Sequence, residues 1–249
     1  MTAYIIIFLI VLALNMAAYL WAFKNQSDKL TDITYSLSFI VVTMYLWFTY
    51  PMNSGKIILG LMVILWALRL GGFLLYRITK MGKDDRFEDF RNSKSGFLKF
   101  WLLQTVSIWI LALPVTEGLT STNTLDIHLF SCILFGFGWV LEALADFQKF
   151  SYKNQLGKDA LITHGLYKYI RHPNYLGEII MWVAIFWYVT PVLLGWQWLV
   201  LLSPVWIIIL LIKISGIPLI EKGNSIRYKD NPDYREYVRN TRRLLPFIY

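Results

Sequence analysis

YIIIFLIVLALNMAAYLWAF, residues 4–23, is a run of twenty residues without a single charge. At about 1.5 Å of rise per residue, such a helix reaches roughly 30 Å, the thickness of a bilayer's hydrocarbon core. Six further stretches read the same way: 33–50, 56–76, 97–116, 127–148, 174–190 and 192–213. The sequence therefore predicts an all-α integral membrane protein, a seven-helix bundle in one domain over 1–249. Only Thr190 and Pro191 separate the last two stretches, with Gly195 and Trp196 close by. They read as a tight hairpin, or one of them as a re-entrant segment.

Composition agrees. The chain is 57% hydrophobic and 16% charged, against roughly 45–50% and about 25% in soluble domains. Its 11 Trp, 15 Tyr and 16 Phe suit the headgroup layer, where amphipathic rings collect. The first apolar run has neither a basic leader nor a small-residue cleavage site, so it reads as a retained helix. The single cysteine, Cys132, excludes an internal disulfide and reads as a packing residue.

The net charge of +8 is concentrated. The segments 24–32, 77–99, 149–171 and 213–249 hold 22 of the 24 Lys and Arg residues, and the intervening loops 117–126 and 190–191 hold none. Alternating basic loops predict an outside N-terminus and a cytoplasmic C-terminus. The basic excess then meets anionic membrane lipid, and no nucleic acid is expected as partner.

Charged groups at membrane depth are costly and face a cavity or a partner. Glu142, Asp146, Lys149 and Lys153 stand at i, i+4, i+7 and i+11, on one face of the fifth span. They read either as an ion-pair stripe or as a ligand-facing stripe, with acids for hydroxyl and amide donors and lysines for phosphate. The segment HGLYKYIRHPNYLGE, 164–178, places Pro173 at the first position of the sixth span. The positive end of that helix then points into a basic zone beside Arg171 and His172, a setting that attracts anions. Asn174 and Glu178 share one face of its first turns. Glu178 reads as a ligand contact or as an ion-pair partner. The tail from Gly216 is basic and aromatic; it reads as a surface-lying amphipathic segment, or as a source of phosphate donors in Arg227 and Arg235 beside Glu221. The three histidines lack ligand spacing, so no metal is expected. The pairs Gly71-Gly72 and Gly136-x-Gly138 lie inside spans and read as sites of close helix packing. A soluble dinucleotide fold is excluded, because strands and helices do not alternate.

The segment HGLYKYIRHPNYLGEI, the run GIPLIE at 216–221 and the ending LLPFI at 244–248 resemble the membrane-bound steroid 5α-reductase-like proteins and their bacterial relatives of uncharacterised-domain type (DUF1295-like). LWALRL at 65–70 and DDRFEDFR at 84–91 extend the likeness. The resemblance implies a seven-helix bundle in a bacterial inner membrane. It implies reduction of an activated C=C bond in a lipophilic enone by NADPH, held in a cavity open to the cytoplasm, with the cofactor half at about 127–249. By position, Asn174, Glu178 and Asp146 match cofactor contacts. Glu142 stands where reductases have Asn, and Lys153 where they have a phosphate-binding Arg. Arg171, His172, Glu221 and Arg227 complete the expected cofactor set. The family's Gln-Glu pair on the second helix is absent; Asp32 and Tyr35 are the nearest candidates for polarising a substrate carbonyl. Trp66 stands where the third helix of the steroid enzymes carries Tyr, and an indole supplies no acidic hydroxyl. Asp32 also reads as a helix N-cap. The competing functions are an S-adenosylmethionine-dependent methyltransferase of the isoprenylcysteine type, which shares the RHPNY-like motif and a similar tail, and a non-catalytic lipid-binding protein.

Overall fold

A computed structural model describes residues 2–25, 27, 30–81, 94–157 and 159–245. The DDRFEDFR segment and the last residues of LLPFI lie outside the described residues. Regular structure in the described chain is helical apart from one isolated bridge between Ile170 and Arg242. Its α-helices are α1 (Thr2–Asn25), α2 (Thr31–Thr49), α3 (Ser54–Met81), α4 (Lys94–Leu111), α5 (Leu113–Thr120), α6 (Leu129–Leu156), α7 (Pro173–Val189), α8 (Leu202–Ile209), α9 (Ile217–Arg227) and α10 (Pro232–Asn240). Among the described residues, seven helical segments are long and apolar enough to cross a membrane, making this a multi-pass integral membrane protein.

Several boundaries differ from the hydropathic reading. The fourth span runs over Ser95–Thr120, so part of the expected loop 117–126 is helix. The span is interrupted only near Ala112, because Pro114 in the next turn has no N–H to donate. The fifth span is expected to end at 148, yet α6 continues to Leu156. Helix propensity carries Lys149 and Lys153 onward after lipid solubility has ended. The sixth and seventh spans, Pro173–Val192 and Gly195–Arg227, are joined by a tight turn. Gly195 has φ +53°, a left-handed conformation natural to glycine. Gln197 Oε1 accepts from the Leu194 N–H at 2.6 Å. Phe186 and Trp198 then meet edge to face with centroids 6.3 Å apart. Both segments have spanning length, as the hairpin reading requires. The seventh continues to Arg227 instead of ending at 213, through a π-helical turn at 210–214 and a break before Pro218.

The chain divides into two compact units. The first comprises Met1–Leu129 and Ile185–Trp206. There α2 packs on α3, and α1 on α4. Tyr35, Phe39 and Trp66 form an aromatic trio, with the Phe39 and Trp66 rings nearly perpendicular at 5.0 Å. Polar side chains inside this unit answer one another. Gln104 Nε2 donates to Asn15 Oδ1 at 3.0 Å and to the Thr31 carbonyl at 3.2 Å. Buried Glu117 accepts from the Tyr4 hydroxyl and from Gln197 Nε2. Buried Lys56 donates to the carbonyls of Ser121 at 2.6 Å and Pro51 at 3.2 Å. Each is a group whose transfer to lipid without a partner costs several kcal/mol.

The second unit comprises Phe130–Ala184 and Ile207–Tyr249. Its organising contact is the crossing of α6 and α7 at two glycines. A Cβ on Gly177 would lie 2.6 Å from the Gly138 carbonyl oxygen and 2.7 Å from the Glu142 nitrogen. A Cβ on Gly138 would lie 2.7 Å from the Gly177 carbonyl oxygen. Helix backbones approach this closely only where no side chain intervenes.

Candidate functional site

The glycine crossing orients the rest of α6. Gly138, Glu142 and Asp146 recur every four residues, so they share the face turned toward α7. Glu142 is 3% exposed and Asp146 9%. Farther along the same stripe, Lys149 and Lys153 line a small recess. The predicted stripe therefore divides in two. Its acids are buried beside the helix crossing and its lysines are half-buried in the wall of the recess.

The recess has a volume of about 40 Å³ and is walled by α6, the segment 160–172, α9 and α10. Arg171, His172, Glu221, Tyr228, Tyr234 and Tyr237 contribute to its polar lining. The tail closes it. Arg171 N–H donates to the Arg242 carbonyl at 2.8 Å, and His172 N–H to the Arg243 carbonyl at 3.1 Å. Tyr237 OH donates to the Tyr167 carbonyl at 2.7 Å, and Tyr228 OH to the Ala160 carbonyl at 3.2 Å. Burial raises the Tyr167, Tyr228, Tyr234 and Tyr237 phenols above their ordinary range, so all four remain neutral donors at physiological pH.

Glu221 is the electrostatic hub. Its Oε1 lies 2.7 Å from Arg171 Nη1 and 3.3 Å from His172 Nε2, and its Oε2 lies 3.1 Å from Arg243 Nε. The sequence sets Glu221 among cations without identifying which of them it meets. Neither Arg243 nor the tail tyrosines stand out there as site residues, because their partners lie far away in the chain. The alternation of Tyr234 and Tyr237 with arginines is the only local signal.

His172 is 3% exposed. Burial lowers its pKa, opposed by its hydrogen bond with Glu221. The unfolded imidazole, near 6.5, therefore binds a proton more readily than the folded one. The stability His172 contributes is complete above about pH 6.5 and is lost as pH falls through that value toward the lower folded pKa. Melting temperature should decline as pH falls through about 6.5. His172→Gln should flatten that decline, and an unchanged pH profile in the variant would assign it to other groups.

The other expected residues occupy separate places. Asn174 and Glu178 sit on the first turns of α7, Glu178 buried at 8% exposure beside Gly177. Glu142, Asp146, Asn174 and Glu178 do not line the recess. Arg227 is half exposed and pairs with the exposed Asp159 at 3.1 Å. Asp32 and Tyr35 belong to the first unit. Asp32 is not an N-cap: α2 begins at Thr31, and its cap residue is Leu30. The Asp32 carboxylate instead pairs with Arg77 at 3.5 Å. The Tyr35 ring packs against Phe39 and Trp66.

The family described as protein of unknown function (DUF1295) matches residues 18–241, most of the chain. The protein belongs to the DUF1295 family. Every residue named in the recess falls within the match, and Arg243 pairs with Glu221 from just beyond it. No curated protein and no solved structure matches the chain. The activity of this DUF1295 member has to be read from its own side chains.

Proposed function

We propose that this DUF1295 member is a membrane-embedded, NADPH-dependent reductase of an activated C=C bond in a lipophilic enone, with the recess at the cytoplasmic face. The observation that carries the reading is the donor set of the recess: Lys149, Lys153 and Arg171, with the Tyr234 phenol beside them. Such donors suit phosphate oxygens. The volume of about 40 Å³ suits one phosphate-sized group and not a whole dinucleotide, so the recess is assigned to the cofactor's phosphate end. The cation excess also weighs against S-adenosylmethionine, whose sulfonium is itself positive.

Bound NADPH supplies a hydride to the electron-poor β-carbon of the enone. The chain's own work is then threefold. Lys149, Lys153 and Arg171 neutralise phosphate charge. Glu142, Asp146, Asn174 and Glu178 present carboxylate and amide groups, and these accept hydrogen bonds from cofactor amide and hydroxyl donors. A donor must also stabilise the oxygen on which negative charge develops; the resemblance offers Tyr35 or a protonated Asp32, and the ion pair of the Asp32 carboxylate with Arg77 favours Tyr35. The family resemblance at HGLYKYIRHPNYLGEI and GIPLIE supports these assignments.

The test is thermal melting of purified protein with NADPH, NADH and S-adenosylmethionine in turn. NADPH at about 100 times its Kd should stabilise the fold by about 2.7 kcal/mol. NADH should act more weakly, because it lacks the 2′-phosphate that the cations meet. Equal affinity for the two nicotinamide cofactors would defeat the phosphate argument. Stabilisation by S-adenosylmethionine alone would replace the reductase with a methyltransferase.

A further inference from the structure

Glu221 stands where an anionic ligand belongs. Arg171, His172 and Arg243 all converge on its carboxylate at 2.7–3.3 Å, while Lys149 and Lys153 line the same recess. One carboxylate carries one negative charge, against the formal charges of the two arginines that reach it. Its two oxygens already serve three donors, and Arg171 Nε is buried with no hydrogen-bond partner among the described residues. Arg171 and Arg243 thus bring more charge to this point than one carboxylate balances, and Arg171 brings an N–H group that Glu221 does not satisfy. A phosphate offers the same acceptor geometry to a guanidinium fork, with a further oxygen and up to a second charge.

We propose that Glu221 is a resident anion: its carboxylate occupies the docking position of a ligand's phosphate group, and ligand binding displaces it from Arg171 and Arg243. The inference rests on reading the recess as a phosphate site, and it adds a built-in competitor. Arg243 belongs to the tail that closes the recess, alongside the backbone bonds from Arg171 and His172 to Arg242 and Arg243. Displacing Glu221 therefore breaks the ion pair between α9 and the closing tail. In the ligand-free state the carboxylate keeps the cations from repelling one another. In the bound state the phosphate does so.

The experiment uses the full chain in detergent and compares wild type with Glu221→Gln, titrated with inorganic phosphate and separately with NADPH. Removing one like charge beside a bound anion should raise phosphate affinity roughly tenfold. Without phosphate the variant should melt below wild type, and phosphate should restore it where chloride at equal ionic strength does not. If the variant cannot be isolated without phosphate, recovery of folded protein in phosphate but not in chloride carries the same meaning. Weaker or unchanged phosphate binding, or no restoration, overturns the proposal. Tighter phosphate binding without any NADPH response keeps the resident anion and removes the cofactor reading. NADPH binding without a gain for phosphate does the reverse. Repeating the melts in nanodiscs with and without phosphatidic acid separates a headgroup from a soluble ligand: a shift that tracks the lipid and not NADPH assigns the phosphate to lipid.

Discussion

Gly177→Ala should destabilise the protein by about 3 kcal/mol, the upper end of the usual cost of overpacking. The reason is what the added methyl meets. Its nearest neighbours are the Gly138 carbonyl oxygen at 2.6 Å and the Glu142 nitrogen at 2.7 Å, and both belong to the backbone of α6. A side chain in the way can rotate, but a helix backbone cannot, so α6 and α7 must separate along the crossing. Gly136→Ala on the same helix supplies the contrast. A Cβ there meets nothing within 4 Å among the described residues. The added methyl should favour the helix by up to about 1 kcal/mol. Gly136-x-Gly138 reads in the sequence as a pair of packing glycines, and only Gly138 packs. Gly71-Gly72 repeats the pattern: a Cβ on Gly71 would lie 2.9 Å from Ser36 Cβ, whereas one on Gly72 meets nothing among the described residues. Equal melting temperatures for the Gly177 and Gly136 variants would refute the close crossing. Because the crossing sets α7's first turns against Glu142, Gly177→Ala should, on the reductase reading, also weaken NADPH binding.

Helices are more legible in this sequence than the contacts between them. Hydropathy reports the free energy of placing a segment in lipid, and all seven spans can be read on that basis. It is silent once a helix leaves the bilayer, so it does not reveal the last two turns of α6 or the continuation through α9. The stripe from Glu142 to Lys153 is legible because helical periodicity is local. The partners of Glu221 are not, since His172 precedes it by 49 residues. Likewise Gln104 and Asn15, 89 residues apart, each look like an isolated polar residue in an apolar run. Their pairing exists only after α1 and α4 pack. Glu117 escapes notice for the same reason, its acceptor role depending on Tyr4 and Gln197 from distant segments of the first unit. The tail presents a choice that pattern alone does not make. A basic, aromatic segment satisfies a membrane surface and a recess equally well by composition, and only the bonds from Tyr228 and Tyr237 to the 160–172 segment reveal its contact with the recess.

Glu178→Gln should lower NADPH affinity by about 10- to 150-fold while leaving the fold intact. Glu178 is the next residue after Gly177 on the turn of α7 that meets α6, and it is 8% exposed. A carboxylate retained at that burial must be compensated. On the reductase reading it accepts a hydrogen bond from the nicotinamide carboxamide. Glutamine preserves the shape and an oxygen acceptor but removes the charge. Hydrogen bonds to charged groups contribute roughly 1.5–3 kcal/mol, which converts to the stated loss of affinity. The fold should tolerate the change, because a buried charge is removed and none is introduced. An ion-pair role gives the opposite pattern. A cation would lose its partner, the melting temperature would drop, and the folded protein would bind NADPH as before. Calorimetric titration with NADPH and a melting curve on this one variant separate the two. Normal affinity with reduced stability would take Glu178 out of the cofactor site and leave Lys149, Lys153 and Arg171 to hold the phosphate end alone.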